Sequence, residues 1–581
     1  MKITRALLLL LCASLLCSCG EMASLPTGET VSQAPESVSV DMSFTENSSD
    51  MFTDRDHEVD YDTEECITIR LEGNTATSDS DSVSIQDGIV TLTRDSAYYI
   101  TGSLENGMLI VNPPDAAKIQ IVFDNVQIHS ETSAALYILS GDKIFLTLAK
   151  DSENVLSSGE SFVAIDENDI DAALFSKQDL TINGEGKLTV DSPAGHGIVS
   201  KDDLVLTGGS FEINAASHGL SANDSIRIAN SSLSVTAGKD GMQADNEDDT
   251  SKGFVYLESG SFLLQAGGDG ISAGGYMQIL GGDYEIHTGG GAGAPYSEES
   301  MKGLKAAGSM ALSGGTFDID SADDALHSNT SIVVTAGEYT IATGDDGIHA
   351  DETLSISGGK ISISQSYEGL EALDVAISGG EITLCATDDG LNAAGGNDSS
   401  GFGGGFGGGD GFGGGGRPDG RPGGGPGGPG GRGGGMSSGN GSILISGGIL
   451  YINASGDGID ANGTLSISGG HTTVCGPTRG DTAILDYDKT AEITGGTFIG
   501  TGASGGMAQT FSGSDQGVLA VNVGNQVADT TILLQDENGN TLFSYAPALS
   551  FGLVILSSPD MVKGETYTIT VGSQSASFQA S

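Results

Sequence analysis

The sequence predicts an all-β fold: a parallel β-helix with coils of about 22 residues, followed by a small C-terminal β module. Three observations indicate this fold, namely a 22-residue period, short alternating strand patterns within each period, and glycine enrichment. Glycine supplies 92 of the 581 residues, about 16%, where ordinary usage is near 7%. Because the glycines are spread along the chain, turns are expected throughout it.

Two sequence markers define the period. An Ile, Leu or Met preceded by Gly or Ala recurs mostly at 22-residue intervals, and a Gly-Gly marker repeats the same step independently. The apolar markers are Ile198, Leu220, Met242, Ile271, Leu304, Leu326, Ile348, Leu370, Leu391 and Ile459. Agreement between two independent markers excludes chance periodicity, and this period is typical of a solenoid.

One repeat, residues 345–366, contains three short strands. Its sequence, DDGIHADETLSISGGKISISQS, alternates apolar and polar residues in three places, as β-strands do. Gly358 and Gly359 permit positive φ at one corner, and Asp-Asp-Gly forms another. Three strands and three turns per step predict one coil of a parallel β-helix with a continuous inward core.

The N-terminus predicts export and anchoring. Residues 1–19 combine a basic start, a short apolar run and the sequence Leu-Cys-Ser-Cys-Gly, which predict a lipoprotein signal peptide, a lipobox and lipidation of Cys19. An ordinary signal peptide cut nearby is the alternative. Residues 20–60 are rich in Ser, Thr and Glu and predict a flexible acidic tether. We therefore expect the protein on the extracellular face of a bacterial cell membrane, held there through the N-terminal lipid only.

Beyond the tether, the pattern divides the chain into three parts. Residues 61–172 keep strand patterns without the strict period, which predicts an N-terminal cap and irregular early coils. Residues 173–505 carry the β-helix. A Gly-rich insertion at 397–438 predicts a flexible loop, with ligand contact through its Phe and Arg residues as the alternative. Residues 506–581 lose the period and predict the C-terminal β module.

Charge and cysteine content exclude two classes of protein. Lys and Arg total 23 and Asp and Glu total 78, so the net charge is 23 − 78 = −55, and nucleic-acid binding through basic patches is excluded. The cysteines beyond Cys19 are Cys66, Cys385 and Cys475, a sparse and odd set that does not form a disulfide framework. We expect a monomer.

Carboxylates predominate just before the marker Gly or Ala. Successive coils lie about 4.8 Å apart, so these residues form a column. Neighbouring charges repel by about 1 kcal/mol in water and more at lower dielectric. A column of carboxylates needs cations, and its oxygens suit Ca²⁺; the alternative is that Asp favours these turns and points into water. The predicted metal ligands are Asp240, Asp245, Asp269, Asp323, Asp324, Asp345, Asp346, Asp351, Glu368, Asp388 and Asp389.

A second polar column follows the apolar marker. Alternation with inward residues places its side chains on the outer side of the sheet, where groups that hydrogen-bond hydroxyls and carboxylates predict a sugar-binding surface. An ordinary solvated sheet face is the alternative, and a transition metal held by His327 and His349 is another. The predicted carbohydrate-binding residues are Lys305, His327, His349, Glu371 and Asn392.

At these motifs the chain resembles the bacterial carbohydrate-binding β-helix proteins, which are related in shape to family 9 pectate lyases. The similarity covers roughly residues 66–510 and extends to the C-terminal module. The segments that carry it are AALFSKQDLTINGEGKLTV, GIVSKDDLVLTGG, MKGLKAAGSMALSGGTFDIDSADDALHSN, GDDGIHADETLSISGG, YEGLEALDVAISGG and ATDDGLNAAGG.

The resemblance implies a right-handed helix, bound calcium, and binding of plant-type polysaccharides such as cellulose and polygalacturonate. By position it assigns calcium to three Asp-Asp pairs, which are Asp323 with Asp324, Asp345 with Asp346, and Asp388 with Asp389. The related lyases use a lysine base beside calcium-held carboxylates, and Lys302 and Lys305 are the local candidates here.

Three functions remain open at this stage. In the first, a surface-anchored protein binds an acidic polysaccharide, and Ca²⁺ on the acidic column reverses the local charge. In the second, the protein is a pectate lyase in which Lys305 or Lys302 removes the proton that calcium has acidified. In the third, it is a structural or adhesion protein. The carboxylates near both lysines favour their protonated form, so we expect binding rather than catalysis.

Overall fold

The computed structural model describes residues 50–246, 249, 251–394, 441–480, 482–505 and 507–581. Within them the chain winds as a parallel β-helix, as predicted. Leu304 pairs with Leu326, Leu326 with Ile348, and Ile348 with Leu370, each step being one coil of 22 residues. Every apolar marker identified in the sequence pairs with the next one in register.

Three columns of parallel strands form three faces of the helix. The first face contains Met108–Val111, Leu136–Ile138, Ala172–Ser176, His196–Ser200, Leu220–Ala222, Met242–Ala244, Ile271–Ala273, Leu304–Ala306, Leu326–Ser328, Leu391–Ala393, Ile459–Ala461 and Leu485–Tyr487. Ile348–Ile356 and Leu370–Ile377 run from the first face into the second.

The other two faces are built in the same way. The second contains Lys143–Leu148, Asp179–Gly184, Asp203–Leu206, Ser225–Ile228, Phe254–Leu257, Met277–Ile279, Met310–Leu312, Ser331–Val334, Ser442–Ile445 and Gly513–Ser514. The third contains Glu153–Ser158, Lys187–Ser192, Ser210–Ala215, Ser231–Ala237, Gly260–Ala266, Asp283–Thr288, Thr316–Ser321, Glu338–Thr343, Lys360–Gln365, Glu381–Ala386 and Ile449–Ala454. The strands that run from the second face into the third are Ile67–Gly73, Tyr98–Leu104, Lys118–Ser130, Thr464–Cys475 and Thr490–Gly502.

Side chains of the same kind stack inside the helix. The residues at and two positions after each first-face marker, such as Ile348 and Ala350, are fully buried. The third face adds an aromatic stack in which Phe262, Tyr284, Phe317 and Tyr339 lie with ring centroids 4.6 to 4.7 Å apart and planes nearly parallel. These ladders form one continuous core, and glycines at positive φ, such as Gly337, turn the chain into this face.

The early coils are more regular than predicted, and short hairpins cap them. Ile67–Gly73 pairs in parallel with Tyr98–Leu104, so in-register stacking begins at the first strand. Ala76–Thr77 pairs antiparallel with the first strand, and Val83–Gln86 pairs antiparallel with Ile89–Leu92.

The C-terminal module closes the other end. Phe551–Ser557 pairs antiparallel with the last coil and with Val518–Gln526, which covers the final strand edge. A second antiparallel sheet contains Ile532–Gln535, Thr541–Tyr545, Thr566–Val571 and Gln574–Gln579. Phe551–Ser557 is buried along nearly its whole length and Gln574–Gln579 is exposed throughout, so neither strand shows the alternation by which a strand is predicted from sequence.

Residues 50–60, which the sequence placed in the tether, pack against the second face as a strap that contains a 3-10 helix, Asp54–His57. The Arg227 guanidinium donates to the Met51 carbonyl at 2.9 Å, and the Gln120 amide donates to the Asp60 carbonyl at 3.4 Å, so the strap crosses several coils. Its centre is the fully buried Asp56, which accepts a hydrogen bond from Lys143 at 2.8 Å. Only segments before residue 50 remain as candidates for the predicted tether.

Two predicted features lie outside the described residues, namely Cys19 with its signal sequence and the insertion at 397–438. The three later cysteines form no disulfide. Cys385 and Cys475 lie in one column with Asn453 between them, as the period predicts. Among the described residues there is no helix of the length and hydrophobicity needed to cross a bilayer.

Asp56→Asn should detach the strap. Burial alone would raise the pKa of Asp56, but hydrogen bonds from Lys143, Thr181 and Thr53 lower it to about 2, so the carboxylate is charged at neutral pH. Removing that charge leaves Lys143 without its buried partner, which costs about 3 kcal/mol. We expect faster trypsin cleavage after Arg55, measured by mass spectrometry. The exposed Asp54→Asn variant serves as the control, and equal cleavage rates in both variants would contradict the prediction.

Candidate functional site

An acidic corner runs along the helix where the third face turns into the first. We use this name for the column Asp240, Asp269, Lys302, Asp324, Asp346, Glu368, Asp389 and Asp457. Oδ1 of Asp324 accepts the backbone N–H of Asp346 at 3.0 Å, and Oδ1 of Asp346 accepts that of Glu368 at 3.0 Å. Each carboxylate thus binds the backbone of the next coil, which explains why Asp recurs at this turn.

Asp-Asp pairs present two different carboxylates at this corner. The second member, Asp324 or Asp346, is fully buried. The first member, Asp323 or Asp345, is half-buried at the surface. Because Oδ1 of the buried member is used by the backbone, Oδ2 is the atom that faces neighbouring side chains.

Four groups of side chains bring candidate ligand atoms within 4.8 Å of one another. Two consist of carboxylates alone, and two also contain imidazole. The carboxylate groups are Asp323 with Asp324 and Asp345, and Asp389 with Asp457 and Asp460; the imidazole groups are Asp324 with His327 and His349, and Asp346 with His349 and Glu371.

The two lysines neutralise carboxylates in the earlier coils of the acidic corner. Nζ of Lys302 lies 2.9 Å from Oδ1 of Asp323 and 2.6 Å from Oδ2 of Asp324. Nζ of Lys305 lies 3.2 Å from Asp269. Burial alone would raise the pKa of Asp324, but the Lys302 charge and a hydrogen bond from His327 hold it well below its ordinary range. Both lysines are therefore engaged as cations by carboxylates.

In the later coils of the acidic corner, burial opposes the ionisation of several carboxyl groups. Burial and the nearby Asp346 charge raise the pKa of Glu368 to about 9. Burial raises the pKa of Asp389 to about 8, and burial with the charges of Asp486 and Asp457 raises that of Asp460 to about 7. A bound divalent cation would remove this penalty, since opposite charge stabilises the ionised form.

The second polar column is not the exposed stripe that alternation suggested. His327, His349, Glu371 and Asn392 are buried, with at most 6% of each residue exposed, while the Lys305 side chain is 33% exposed. They fold back onto the acidic corner: Nδ1 of His327 lies 2.8 Å from Asp324, and Asn392 donates to Glu368 at 2.6 Å. Alternation fixes the side of a strand on which a residue lies but not what covers it.

Several predicted ligands lie apart from the four groups. Oδ1 of Asp240 accepts the Asp269 N–H at 2.8 Å, and Asp269 also accepts from Ser300 at 2.7 Å. Asp245 follows the first-face strand Met242–Ala244 and so lies at its far end from the corner. Asp351 lies within the strand Ile348–Ile356, where its Oδ1 is 3.5 Å from Nε2 of His349. Asp388 is half-buried beside Tyr367. Sequence reasoning assigned no metal role to Asp457 and Asp460, although the period locates both one coil above Asp389 once the 68-residue step is allowed for.

Two comparisons show which known proteins part of the chain is similar to. Residues 86–347 match a family model described as "Carbohydrate-binding domain-containing protein". A curated protein of that description from Acetivibrio thermocellus is 32% identical over 137 residues, which is 23% of this chain and 48% of the relative. The chain thus spans about half the length of that relative. Over these residues the chain is similar to carbohydrate-binding proteins, as the sequence motifs indicated.

Among solved structures, one described as "polysaccharide lyase-like protein from C. thermocellum, Gadolinium derivative" is similar at 24% identity with a TM-score of 0.36. The match covers 50% of this chain and 96% of that one. The register of this chain's own strands defines its fold.

The metal-free protein should lose stability as pH rises. Glu368, Asp389 and Asp460 have folded pKa values of about 9, 8 and 7, against about 4 when unfolded. Between the unfolded and folded pKa values, the folded state holds more protons than the unfolded state. The stability that these groups contribute is therefore complete below about pH 4 and is lost as pH rises through 7 to 9. In chelator we expect Tm to fall by at least roughly 2 °C between pH 6 and pH 9, measured by calorimetry. Asp389→Asn with Asp460→Asn should flatten the slope, and an unchanged slope would contradict the assignment.

Proposed function

We propose that the protein binds an acidic plant-type polysaccharide, polygalacturonate or a related polyuronate, through Ca²⁺ held at the acidic corner. The observation that carries this proposal is the group Asp389, Asp457 and Asp460, in which three carboxylates converge and burial raises two of their pKa values. The similarity to carbohydrate-binding proteins supports the class of ligand.

The donor set of this group fits calcium. Ca²⁺ takes six to eight oxygen ligands at about 2.3–2.6 Å, and three carboxylates cannot supply all of them by single bonds. All three members are only partly buried, so the remaining positions face outward. Carboxylate and hydroxyl oxygens of a uronate chain would complete the coordination, and the cation would offset the repulsion between a polyanion and a protein of charge −55.

Binding is favoured over lyase chemistry by the lysine contacts. A lysine base must be deprotonated to accept the substrate proton. Lys302 contacts two carboxylates and Lys305 contacts one, and each contact stabilises the ammonium form. We therefore expect retention of the polysaccharide without unsaturated product.

Anchoring belongs to the same proposal. The Leu-Cys-Ser-Cys-Gly sequence supports lipidation of Cys19 and a position on the outer surface of the cell membrane. Since the strap begins at residue 50 on the second face, residues 20–49 would connect the lipid to the side of the helix.

Native gels that contain polygalacturonate test the ligand. We expect Ca²⁺ to retard the full chain and chelator to abolish the retardation. Asp389→Asn with Asp460→Asn should weaken the apparent affinity roughly tenfold, which is about 1.4 kcal/mol. The matched control is Asp318→Asn with Glu285→Gln, which removes two exposed charges from the third face.

Two outcomes would overturn parts of the proposal. Equal mobility in all lanes, together with retention on cellulose, would support carbohydrate binding but exclude a polyuronate as the ligand. Formation of unsaturated product, followed by ultraviolet absorbance and lost in Lys305→Ala, would replace binding by lyase activity.

A further inference from the structure

One turn of the acidic corner carries a long insertion. Residues 289–303 connect the third-face strand Asp283–Thr288 to the first-face strand Leu304–Ala306, whereas the next coil makes the same turn with residues 322–325 alone. The insertion therefore projects from the corner itself. Its first part, Gly-Gly-Gly-Ala-Gly-Ala-Pro-Tyr-Ser at 289–297, has no charged side chain, although the chain has a net charge of −55. We call residues 289–301 the corner loop.

The first half of the corner loop is fixed against later coils. The Ala292 N–H donates to Oδ1 of Asp320 at 2.7 Å, and the Ala292 carbonyl accepts a hydrogen bond from Nε2 of Gln365 at 3.0 Å. Counted from His287, Asp320 lies one coil further along the helix and Gln365 three coils further. The loop thus leads from its own coil towards the later coils of the corner.

The start of the loop requires glycine. Gly291 has a φ of 81°, and a Cβ at this position would lie 2.5 Å from Oδ2 of Asp320. The backbone therefore lies directly against the Asp320 carboxylate, at a distance that only glycine permits. Further along, the ring of Pro295 restricts the backbone just before Tyr296. These residues limit the paths that the loop can take to its tip.

The end of the corner loop is held on the acidic corner. The Ser300 hydroxyl donates to Oδ1 of Asp269 at 2.7 Å and accepts a hydrogen bond from Nζ of Lys305 at 3.0 Å. The Met301 N–H donates to Oδ2 of Asp323 at 3.3 Å. Because both ends of the loop are fixed, its exposed middle forms a short arch over the corner.

The arch presents an aromatic ring to solvent. Tyr296 is 63% exposed, more than any other Tyr or Phe among the described residues, of which Phe578 at 38% and Tyr61 at 37% come next. Apolar surface of this kind is unfavourable in water and gains free energy when a ligand covers it. The chain contains no Trp, so Tyr296 is the aromatic ring most available for contact with a ligand.

The ring lies near the carboxylates of the later coils. Strand Lys360–Gln365, which holds the loop at Ala292, pairs with Glu381–Ala386 in the next coil, and that strand leads directly to Asp389. Successive coils are about 4.8 Å apart. Four residues of chain span at most about 14 Å, which limits the distance from Ala292 to Tyr296. A polysaccharide bound at Asp389 and running along the corner would therefore reach the Tyr296 ring within a few sugar units.

We propose that Tyr296 stacks on a pyranose ring of the polysaccharide, so that the corner loop forms a second contact beside the calcium-binding carboxylates. The apolar C–H face of a sugar packs against the flat face of the aromatic ring, while the sugar hydroxyls stay in water. The uncharged tip of the loop lets a polyanion approach. This inference rests on the proposed function and deepens it, because the cation binds uronate carboxylates whereas the ring binds the face of the sugar.

Native gels with polygalacturonate and Ca²⁺ test the stacking role in the full chain. Tyr296→Ala should weaken the apparent affinity at least roughly fivefold, and Tyr296→Phe, which keeps the ring, should retain it. Gly291→Ala should displace the loop and cause a similar loss with Tyr296 intact, and the double variant should lose no more than either single one. Phe578→Ala, which removes an exposed ring from the C-terminal module, is the control and should bind normally.

A measurement on the unmodified chain guards against misfolded variants. Tetranitromethane nitrates exposed tyrosines, and mass spectrometry of peptides identifies the modified positions. Polygalacturonate with Ca²⁺ should protect Tyr296, Ca²⁺ alone should not, and Tyr61 should react equally in all samples.

The outcomes separate this inference from the proposed function. Full retention of Tyr296→Ala, no protection of Tyr296 from nitration, or equal losses in Tyr296→Phe and Tyr296→Ala would overturn the stacking role and leave calcium-dependent binding intact. Absence of retention in the unmodified chain would overturn the proposed function, and the stacking role with it.

Discussion

Backbone hydrogen bonds between successive coils hold each residue opposite its equivalent, and the rest of the structure depends on this register. A favourable side chain is therefore repeated along the helix, as in the fully buried column of Leu304, Leu326 and Ile348. Apolar repetition gives a core without a large globular domain. The same constraint stacks charged side chains, for which repetition is costly because like charges about 4.8 Å apart repel.

At the acidic corner, repeated carboxylates support the stacking of the coils although their charges repel one another. Its buried carboxylates fix the backbone of the next coil through Oδ1, so Asp at this position contributes to the stacking itself. The charge that remains must be balanced locally. Burial would otherwise force protons onto these groups, as the raised pKa values of Glu368 and Asp389 indicate. The stacking contact and the negative charge that has to be balanced thus originate from the same Asp side chain.

The 22-residue period made the path of the coils predictable from the sequence. The side-chain contacts between coils were not predictable in this way. Spacing located the partners of Ile348 and the column of Cys385 and Cys475, because register depends only on counting residues. Burial of His349 depends on how its ring folds onto Asp346, which alternation does not encode. The strap was missed for the same reason: a polar segment with one central Asp56 has no periodic signal, and its place depends on Lys143 and Thr181 far along the chain.

The column next to the acidic corner decides how the charge of each repeated carboxylate is balanced. The corner residue changes little from coil to coil, whereas its neighbour varies from Lys305 through His349 to Asp460. An ammonium group supplies the positive charge from the protein itself. An imidazole adds a nitrogen donor and favours a transition metal, while a further carboxylate leaves an oxygen-only group that favours calcium. In a solenoid, a single substitution at this second position therefore changes how the neighbouring carboxylate is balanced, without altering the backbone stacking of the coils.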